Sequence, residues 1–571
     1  MKDSVNIAVL GNTTTDFSGI ALANECKMHE IKASVYNAPY QQYNQQIMDR
    51  CSGFYASHPD LTILQLDART LYPDWFKFST FAEKNGPDLE NQIQKAADIL
   101  ISLLQTIHNY SGTKIIINNF KVPYHTPNGI LDNRSGIGLK RMINMLNIRL
   151  EDFIAATDYA YVFDYNGFCS HIGHIKAEDS KMVYLTKSLL SYPATKLLAK
   201  EYMRYILPFM SLNKKCLVLD LDNTLWGGIA GEDGISGVRL DLSGPGRCYY
   251  DFQEEILNLY DKGILLALNS KNNQEDALEI IEKHPNMLLR KRHFSCLKIN
   301  WQNKAANLKE IADELNIGLD SLVFFDDNPV EREYIKRAFP QVTVVDVPND
   351  PGRYCEVLKG IPEFEKLDVT EEDRKRNEMV EQNHKRLQNQ QLFQSLEEYL
   401  AYLGTEITVS KADDFNIPRI SQLTQKTNQF NMTTKRYQVS DIKKMLVSGD
   451  HLVYCCSVSD RFGDNGITGC CIVKLEGSTA VIDTFLLSCR VLGRNVEFAF
   501  LVDIIKKLKE LDMEKVVAEY LPTEKNKANS GFYEMAGFTA VSTDENRTVF
   551  EIGKEAIPVE FAYIRYKQVP G

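Results

Sequence analysis

The sequence contains no long hydrophobic run: no stretch approaches the roughly 18 apolar residues that a membrane-crossing helix needs. No membrane partner is therefore expected. Basic residues are not in excess either. Lys and Arg number 65 against 76 Asp and Glu, a net charge of -11, which argues against a broad nucleic-acid-binding face and leaves room only for local basic pockets. The 12 cysteines lack the spacing of a disulfide framework, and no CxxC is followed by a second pair at zinc-site distance. They are expected to be reduced, buried thiols of a cytoplasmic protein, including the adjacent pairs Cys455-Cys456 and Cys470-Cys471. The segment Met1-Lys-Asp-Ser-Val-Asn6 has no signal-peptide pattern and leads into a strand-like Ile7–Leu10. Internal repeats and low-complexity tracts are also missing.

What is present is a 571-residue soluble-type composition, 44% hydrophobic and 25% charged, with length for two to four domains. The pattern predicts an α/β multidomain chain. Residues 1–210 alternate candidate strands (Ile7–Leu10, Leu61–Leu66, Lys114–Ile117, Tyr161–Phe163) with helical stretches, as a helix-covered parallel sheet would. Residues 211–365 repeat the pattern, with apolar strands before Asp220, Ser270 and Asp326. Between them run helical stripes, Phe252, Ile256 and Leu259, then Leu308, Ile311, Ala312 and Leu315. Asn328-Pro-Val-Glu331 reads as a helix start, with N-cap, proline at the first position and Glu331 closing a capping box. Thr370-Glu-Glu-Asp373 opens a charged helical linker, 366–394, expected as a solvated connector. Residues 395–571 mix strands and helices, an α+β domain.

Four signals in the central segment carry chemistry. Asp220-x-Asp222-x-Thr224 follows a buried strand, so both carboxylates can face one site at the carboxyl end of a sheet. One can attack phosphorus while the other serves as acid and base. Ser270 ends a second strand and can bind a phosphoryl oxygen. Lys304 can offset phosphoryl charge. Asp326-Asp327-Asn328 ends a third strand with oxygens suited to Mg²⁺. About 45 residues separate Thr224 from Ser270 and about 33 separate Ser270 from Lys304. Neither interval holds a cap domain with its own core, so a macromolecular substrate, or one covered by a neighbouring domain, is expected.

These motifs resemble the haloacid dehalogenase (HAD) superfamily, which implies a Rossmann-like domain without a large cap. The resemblance makes Asp220 the nucleophile and Asp222 the acid/base, with Thr224, Ser270 and Lys304 at the phosphoryl group. It assigns Mg²⁺ to Asp220, Asp222 (through its carbonyl) and either Asp326 or Asp327. Further on, Arg490-Val-Leu-Gly493-Arg494-Asn495 resembles the pyrophosphate loop of GCN5-related N-acetyltransferases (GNAT), with Asn495 where Gly or Ala is usual. Asn526-x-x-Asn529-x-x-Phe532-Tyr533 resembles that fold's closing helix. The likeness implies that Arg490, Gly493, Arg494 and Asn526 meet coenzyme A or a phosphopantetheine arm.

Taken in order, DLDNTLWGG, NSKNN, INWQNK, FFDDNP, KTNQFN, DRFGDNG and SCRVLGR resemble the FkbH-like family, HAD subfamily IIIC, over residues 211–545. The resemblance implies dephosphorylation of a glyceryl phosphate such as 1,3-bisphosphoglycerate and loading of the glyceryl unit on an acyl-carrier protein thiol. The N-terminal segment resembles the SGNH-hydrolase-like, flavodoxin-like domain of longer members. Leu10-Gly-Asn-Thr13 replaces Gly-Asp-Ser, and no Asp-x-x-His lies near His171 or His174, so it is expected to be inactive. Several members carry Cys before the serine of the second motif, where this chain has Asn269. Cys489, beside Arg490, is another candidate acyl thiol. Two alternatives stay open: a phosphatase of a small sugar or glycerate phosphate, and a coenzyme-A-dependent acyltransferase with a structural HAD domain.

Overall fold

The computed structural model describes residues 4–83, 86–134, 136–369, 371–390, 392–554 and 561–567. Met1–Asp3 and Thr370, named above, lie outside them. The chain divides into two units, Met1–Met210 and Ser211–Gly571. No helix of the described residues is long and apolar enough to cross a membrane.

In the first unit the apolar runs become parallel strands: β1 (Ser4–Gly11), β2 (Lys32–Asn37), β3 (Leu61–Gln65), β4 (Lys114–Asn118) and β5 (Ala160–Phe163). Their order, β2-β1-β3-β4-β5, is that of flavodoxin-like doubly wound sheets. Central strands such as β4 bury Ile115, Ile116 and Ile117, because helices cover both faces. β2 gave no apolar signal. It is an edge strand with no fully buried residue, so its sequence needs no hydrophobic run.

The second unit begins with another parallel sheet: β6 (Cys216–Leu219), β7 (Leu265–Ser270), β8 (Cys296–Ile299), β9 (Leu322–Phe325) and β10 (Thr343–Val344), in the order β10-β9-β6-β7-β8. β6, β7 and β9 are buried along their whole length. Helix Arg247–Asp261 packs Phe252, Ile256 and Leu259 on the sheet, and helix Lys304–Glu314 packs Leu308, Ile311 and Ala312. Asn328 caps helix Pro329–Ala338 by accepting from the Val330 N–H at 2.9 Å. Glu331 does not close a capping box. Its carboxylate reaches across to Lys271 at 2.6 Å, where an ion pair outcompetes the local backbone donor.

A mixed sheet follows, in the order β17-β18-β16-β15-β14-β13-β11-β19, with β12 (Phe430–Asn431) on β15. Its strands are β11 (Glu406–Lys411), β13 (His451–Asp460), β14 (Gly463–Glu476), β15 (Thr479–Leu487), β16 (Lys515–Tyr520), β17 (Thr539–Thr543), β18 (Thr548–Gly553) and β19 (Arg565–Tyr566). Among the described residues, only β15–β16 and β11–β19 of this sheet pair in parallel. Helix Val496–Glu510 makes the crossover that the first of these pairs requires. Phe485 stacks on Phe500 and Phe532 in its core.

The charged segment Glu371–Gln390 is not a solvated connector. Asp373, Met379 and Arg386 are buried, and Arg386 makes a two-pronged ion pair with Asp460, both contacts at 2.8 Å. The charges of Asp373, Arg376 and Arg386 meet protein partners, so charge density alone misread their environment. Of the cysteines, Cys51, Cys248, Cys355 and Cys489 are not fully buried.

Candidate active site

The register of the second sheet brings the chemistry-bearing residues to one edge. β6 lies between β7 and β9, with Leu219 opposite Leu268 and Phe325. Asp220 and Asp326, which follow β6 and β9, and Ser270, the last residue of β7, therefore stand at the same carboxyl end of the sheet. The Asp220 N–H extends the ladder by one bond to the Phe325 carbonyl, 3.1 Å, which fixes its direction.

Lys304 is the hub. Its ammonium, on a side chain only 3% exposed, lies 2.9 Å from Asp220 Oδ2 and 2.6 Å from Asp326 Oδ2. Burial opposes its charge, but the two carboxylates outweigh that and hold its pKa above the usual lysine value. The position of Lys304 depends on amides that the sequence reading did not assign. Asn269 Nδ2 donates to the Lys304 carbonyl at 2.9 Å, and Asn307 Nδ2 donates to Asn269 Oδ1 at 3.0 Å. Asn269 is thus a buried brace for the first turn of the lysine's helix.

Asp220, Asp326 and Asp327 each offer a carboxylate oxygen within 4.8 Å of the others. Burial, and then the negative charge of Asp220, raises the Asp326 carboxyl above the ordinary range and pushes Asp327 to about 6. Thr224 Oγ1 donates weakly to Asp327, 3.4 Å. Arg332, also missed, donates to the carbonyls of Asp326 (2.8 Å) and Asp327 (2.7 Å), pinning the turn that presents them. Its only sequence signal was a cation one turn into the helix after Asp-Asp-Asn-Pro.

These residues fit a divalent cation. Asp220 Oδ1 is buried without a hydrogen-bond partner, and an unmet carboxylate oxygen in such a place is costly. Three carboxyl groups also crowd against the single ammonium of Lys304, more acidic oxygens than one lysine can serve. Mg²⁺, which takes oxygen ligands, matches both needs. Both Asp326 and Asp327 stand within reach of Asp220, so the geometry favours neither alone.

Asp222 is held apart from this cluster. Its Oδ1 accepts from Trp226 Nε1 (2.9 Å) and the Ala230 N–H (3.0 Å), and its Oδ2 accepts from Asn272 Nδ2 (2.9 Å). Burial raises its pKa, the three donors resist, and Asp220 adds to the rise. A carboxyl so placed suits proton transfer. Ser270 is 2% exposed at the end of β7. Beside Asp327 opens a cleft of about 650 Å³, lined also by Asn223, Arg239, Tyr249 and Tyr354.

Of the C-terminal candidates, Arg494 and Asn526 are buried among protein partners and Gly493 is exposed. Arg494 is buried, donating to Asp460 at 2.9 Å and to the Arg490 carbonyl at 2.6 Å, so its charge serves the interior. Asn526 is fully buried. Its Nδ2 donates to the carbonyls of Asn431 and Leu521, both 2.9 Å, and its Oδ1 accepts from Thr523 N–H, 2.7 Å. These bonds tie separate loops together. Gly493 is exposed with φ +75°, a conformation that requires glycine or strains its replacement. The Cys489 carbonyl accepts from Asn316 Nδ2, 3.4 Å.

The family model of the FkbH N-terminal domain matches residues 6–206. No curated protein gives a match. Among solved structures, the N-terminal part of protein BF1531 from Bacteroides fragilis, described as containing a phosphatase domain complexed with Mg, is 30% identical. It covers 64% of this chain and 95% of its own, with a TM-score of 0.59. The ribosomal-protein-S18-alanine N-acetyltransferase of Escherichia coli overlaps 27% of this chain and 96% of its own (14% identity, TM-score 0.20). PaiA N-acetyltransferase of Thermoplasma acidophilum, in complex with coenzyme A, overlaps 26% and 98% (15% identity, TM-score 0.21). From the N-terminal domain match and the 30% identity over nearly all of the Bacteroides structure, the chain belongs to the FkbH-like family.

Proposed function

We propose that the Asp220 site is a magnesium-dependent phosphatase site that removes phosphate from a glyceryl phosphate such as 1,3-bisphosphoglycerate. We further propose that the chain loads the glyceryl unit on the thiol of an acyl-carrier protein. The observation that carries the first part is the buried, unpartnered Asp220 Oδ1 within 4.8 Å of two further carboxylates and beside Lys304. The related Bacteroides phosphatase domain was solved with Mg, which supports the metal.

Asp220 attacks the ester phosphorus, and the bond to the glyceryl oxygen breaks. Asp222 gives its proton to that oxygen, leaving an alcohol and an aspartyl phosphate. Water then attacks phosphorus, Asp222 takes the water's proton, and phosphate and Asp220 are regenerated. Lys304 neutralises phosphoryl charge throughout, and Ser270 offers a hydrogen bond to a phosphoryl oxygen. Bound Mg²⁺, held by Asp220, the Asp222 carbonyl and Asp326 or Asp327, would supply charge compensation for the phosphoryl oxygens. Loading is a separate step: the carrier's thiolate attacks the acyl-phosphate carbonyl, the thioester forms and phosphate leaves.

A second reading is a phosphatase of a small sugar or glycerate phosphate without transfer. It is favoured by Asn269 in place of a family cysteine, and by the internal engagement of Arg494 and Asn526. Intact-protein mass spectrometry decides between them. Candidate carrier proteins are incubated with the chain, Mg²⁺ and 1,3-bisphosphoglycerate. A glyceryl mass increase is expected; phosphate release with no mass change on any carrier would leave the second reading.

A further inference from the structure

The cleft of about 650 Å³ beside Asp327 is of a size that suits a small molecule and exceeds what a phosphoryl group alone would fill. It opens from the phosphatase site itself, because Asp327 is one of the three carboxylates within 4.8 Å of one another. A substrate with its phosphate at Asp220 has this cleft as the neighbouring space for the rest of the molecule. Lys304 and Ser270, which face the transferred phosphoryl group, do not line it.

Arg239 lines the cleft and is held there by its backbone. It exchanges two hydrogen bonds with Gly227: the Gly227 N–H donates to the Arg239 carbonyl at 3.0 Å, and the Arg239 N–H donates to the Gly227 carbonyl at 2.7 Å. This antiparallel bridge ties Arg239 to the loop that follows Asp222. The loop is braced in turn by Asn223, whose Oδ1 accepts from the Gly228 N–H at 3.0 Å and whose carbonyl accepts from the Tyr354 hydroxyl at 3.1 Å. Gly227 also makes room for the guanidinium. A Cβ there would stand 2.8 Å from Tyr249 Cε2 and 3.0 and 3.2 Å from Arg239 Nε and Nη2. Ring edge and guanidinium therefore close on one point over bare backbone. Among the described residues the exposed Arg239 side chain makes no hydrogen bond or ion pair.

Tyr249 is the second donor on this wall. It is 4% exposed, and its ring meets that of Tyr354 edge-on with centroids 6.4 Å apart. The Tyr354 hydroxyl is engaged by Asn223. That of Tyr249 makes no hydrogen bond among the described residues, an unfavourable state for a buried hydroxyl that a ligand in the cleft would relieve. Burial pushes its phenol up to about 12, with Cys248 and Asp327 adding to the rise and Arg239 opposing it. At neutral pH it is an uncharged O–H donor.

Tyr249 also belongs to the first turn of helix Arg247–Asp261, which starts at the cleft. The N-cap of that helix is Gly246, which has no side chain to take up the first N–H groups. The positive end of the helix dipole is left for another acceptor. The acidic groups of the cleft face elsewhere: Asp327 joins the carboxylate cluster, and Asp350 Oδ1 accepts from the Gly352 N–H at 3.0 Å.

A guanidinium, a hydroxyl donor and a helix start, all without a side-chain partner and all on one cavity, are satisfied together by an anion. We propose that Arg239 and Tyr249 bind a second anionic group of the substrate, a carboxylate or a second phosphate, and so select phosphorylated molecules that carry one. This rests on the phosphatase reading of the Asp220 site.

The test compares three compounds on one carbon frame. Glycerol 3-phosphate has no second anion, 3-phosphoglycerate adds a carboxylate, and glycerol 1,3-bisphosphate adds a phosphate. Phosphate release by the full-length chain with Mg²⁺ is expected to favour a two-anion compound over glycerol 3-phosphate at least tenfold in kcat/KM, mostly through KM. The larger of the two ratios assigns carboxylate or phosphate. Arg239→Met is expected to lower the ratio at least tenfold, Arg239→Lys to keep part of it, and Tyr249→Phe to lower it about fivefold, the worth of one neutral hydrogen bond. Titration calorimetry of the Asp220→Asn chain with the same compounds reads the preference without turnover. A preference seen only there, and lost in Asp220→Asn/Arg239→Met, would refute the phosphatase reading and keep the anion subsite. The proposal is overturned if neither assay shows a preference, or if Arg239→Met keeps the ratio within twofold of the parent, as a merely structural role predicts.

Discussion

Replacing Lys304 by Met tests the centre of the site, because it keeps the length of the side chain and deletes only its charge. Lys304 is 3% exposed and bridges Asp220 and Asp326 at 2.9 and 2.6 Å, with Asp326 fully buried. Removing one partner of a buried ion pair leaves an uncompensated charge and costs about 3–5 kcal/mol. For a cooperative unit of this size that is a fall in melting temperature of roughly 5–10 °C. Added Mg²⁺ should restore part of it, since a bound cation compensates the same carboxylates. Turnover of a small phosphoester should fall by about 10²–10³, the usual effect of losing one preorganised charge at a transferring group. The assay is calorimetric melting of both proteins, with chelator and with Mg²⁺, beside phosphate-release kinetics. A metal-free melting change below about 2 °C together with activity within tenfold of the parent would refute the argument.

Asp220→Asn should abolish Mg²⁺-dependent phosphate release and Asp222→Asn should slow it on the order of 10²-fold; near-normal release from a folded Asp220→Asn protein would contradict the assigned nucleophile. Gly493→Glu should block carrier loading and spare small-phosphoester turnover, with Gly493→Ala as the control for strain at φ +75°; equal loss of both activities with Glu only, or unchanged loading, would defeat the proposed division of labour. The first unit should show no esterase turnover, because Asn12, clamped to the Asp67 backbone at 2.9 and 2.8 Å, and Thr13 replace the expected Asp-Ser pair; ester hydrolysis by Asp220→Asn that disappears in Thr13→Ala would overturn this. Unfolded Lys426 and Lys366 titrate near ~10.4, above their folded values of about 7 and 8. The unfolded chain therefore binds more protons between about pH 7 and 10, and these groups make stability rise with pH there. Unfolding of the parent and of Lys426→Met in phosphate-free buffer measures it, and an equal slope in both proteins would refute the lysine's part.

The sequence by itself determined the strand-to-loop junctions at Asp220, Ser270 and Asp326, because a doubly covered parallel strand must be apolar throughout and its polar ending is conspicuous. Amphipathic helices were legible for the same reason: one buried stripe, as in Phe252, Ile256 and Leu259, repeats at helical spacing. The edge strand β2 was not, since an exposed strand carries no such constraint. Nor could spacing reveal that Asn269 braces Lys304, that Arg332 pins the Asp326-Asp327 turn, or that Asn272 orients Asp222. Asn269 and Asn272 act on neighbours 35 and 50 residues away, and Arg332, though close in sequence, reaches back across a turn whose shape only the fold sets. The same limit explains Glu331, Arg386, Arg494 and Asn526. A polar side chain has the same local pattern whether it meets water, a ligand or a buried partner, and only the packing of separate segments decided which.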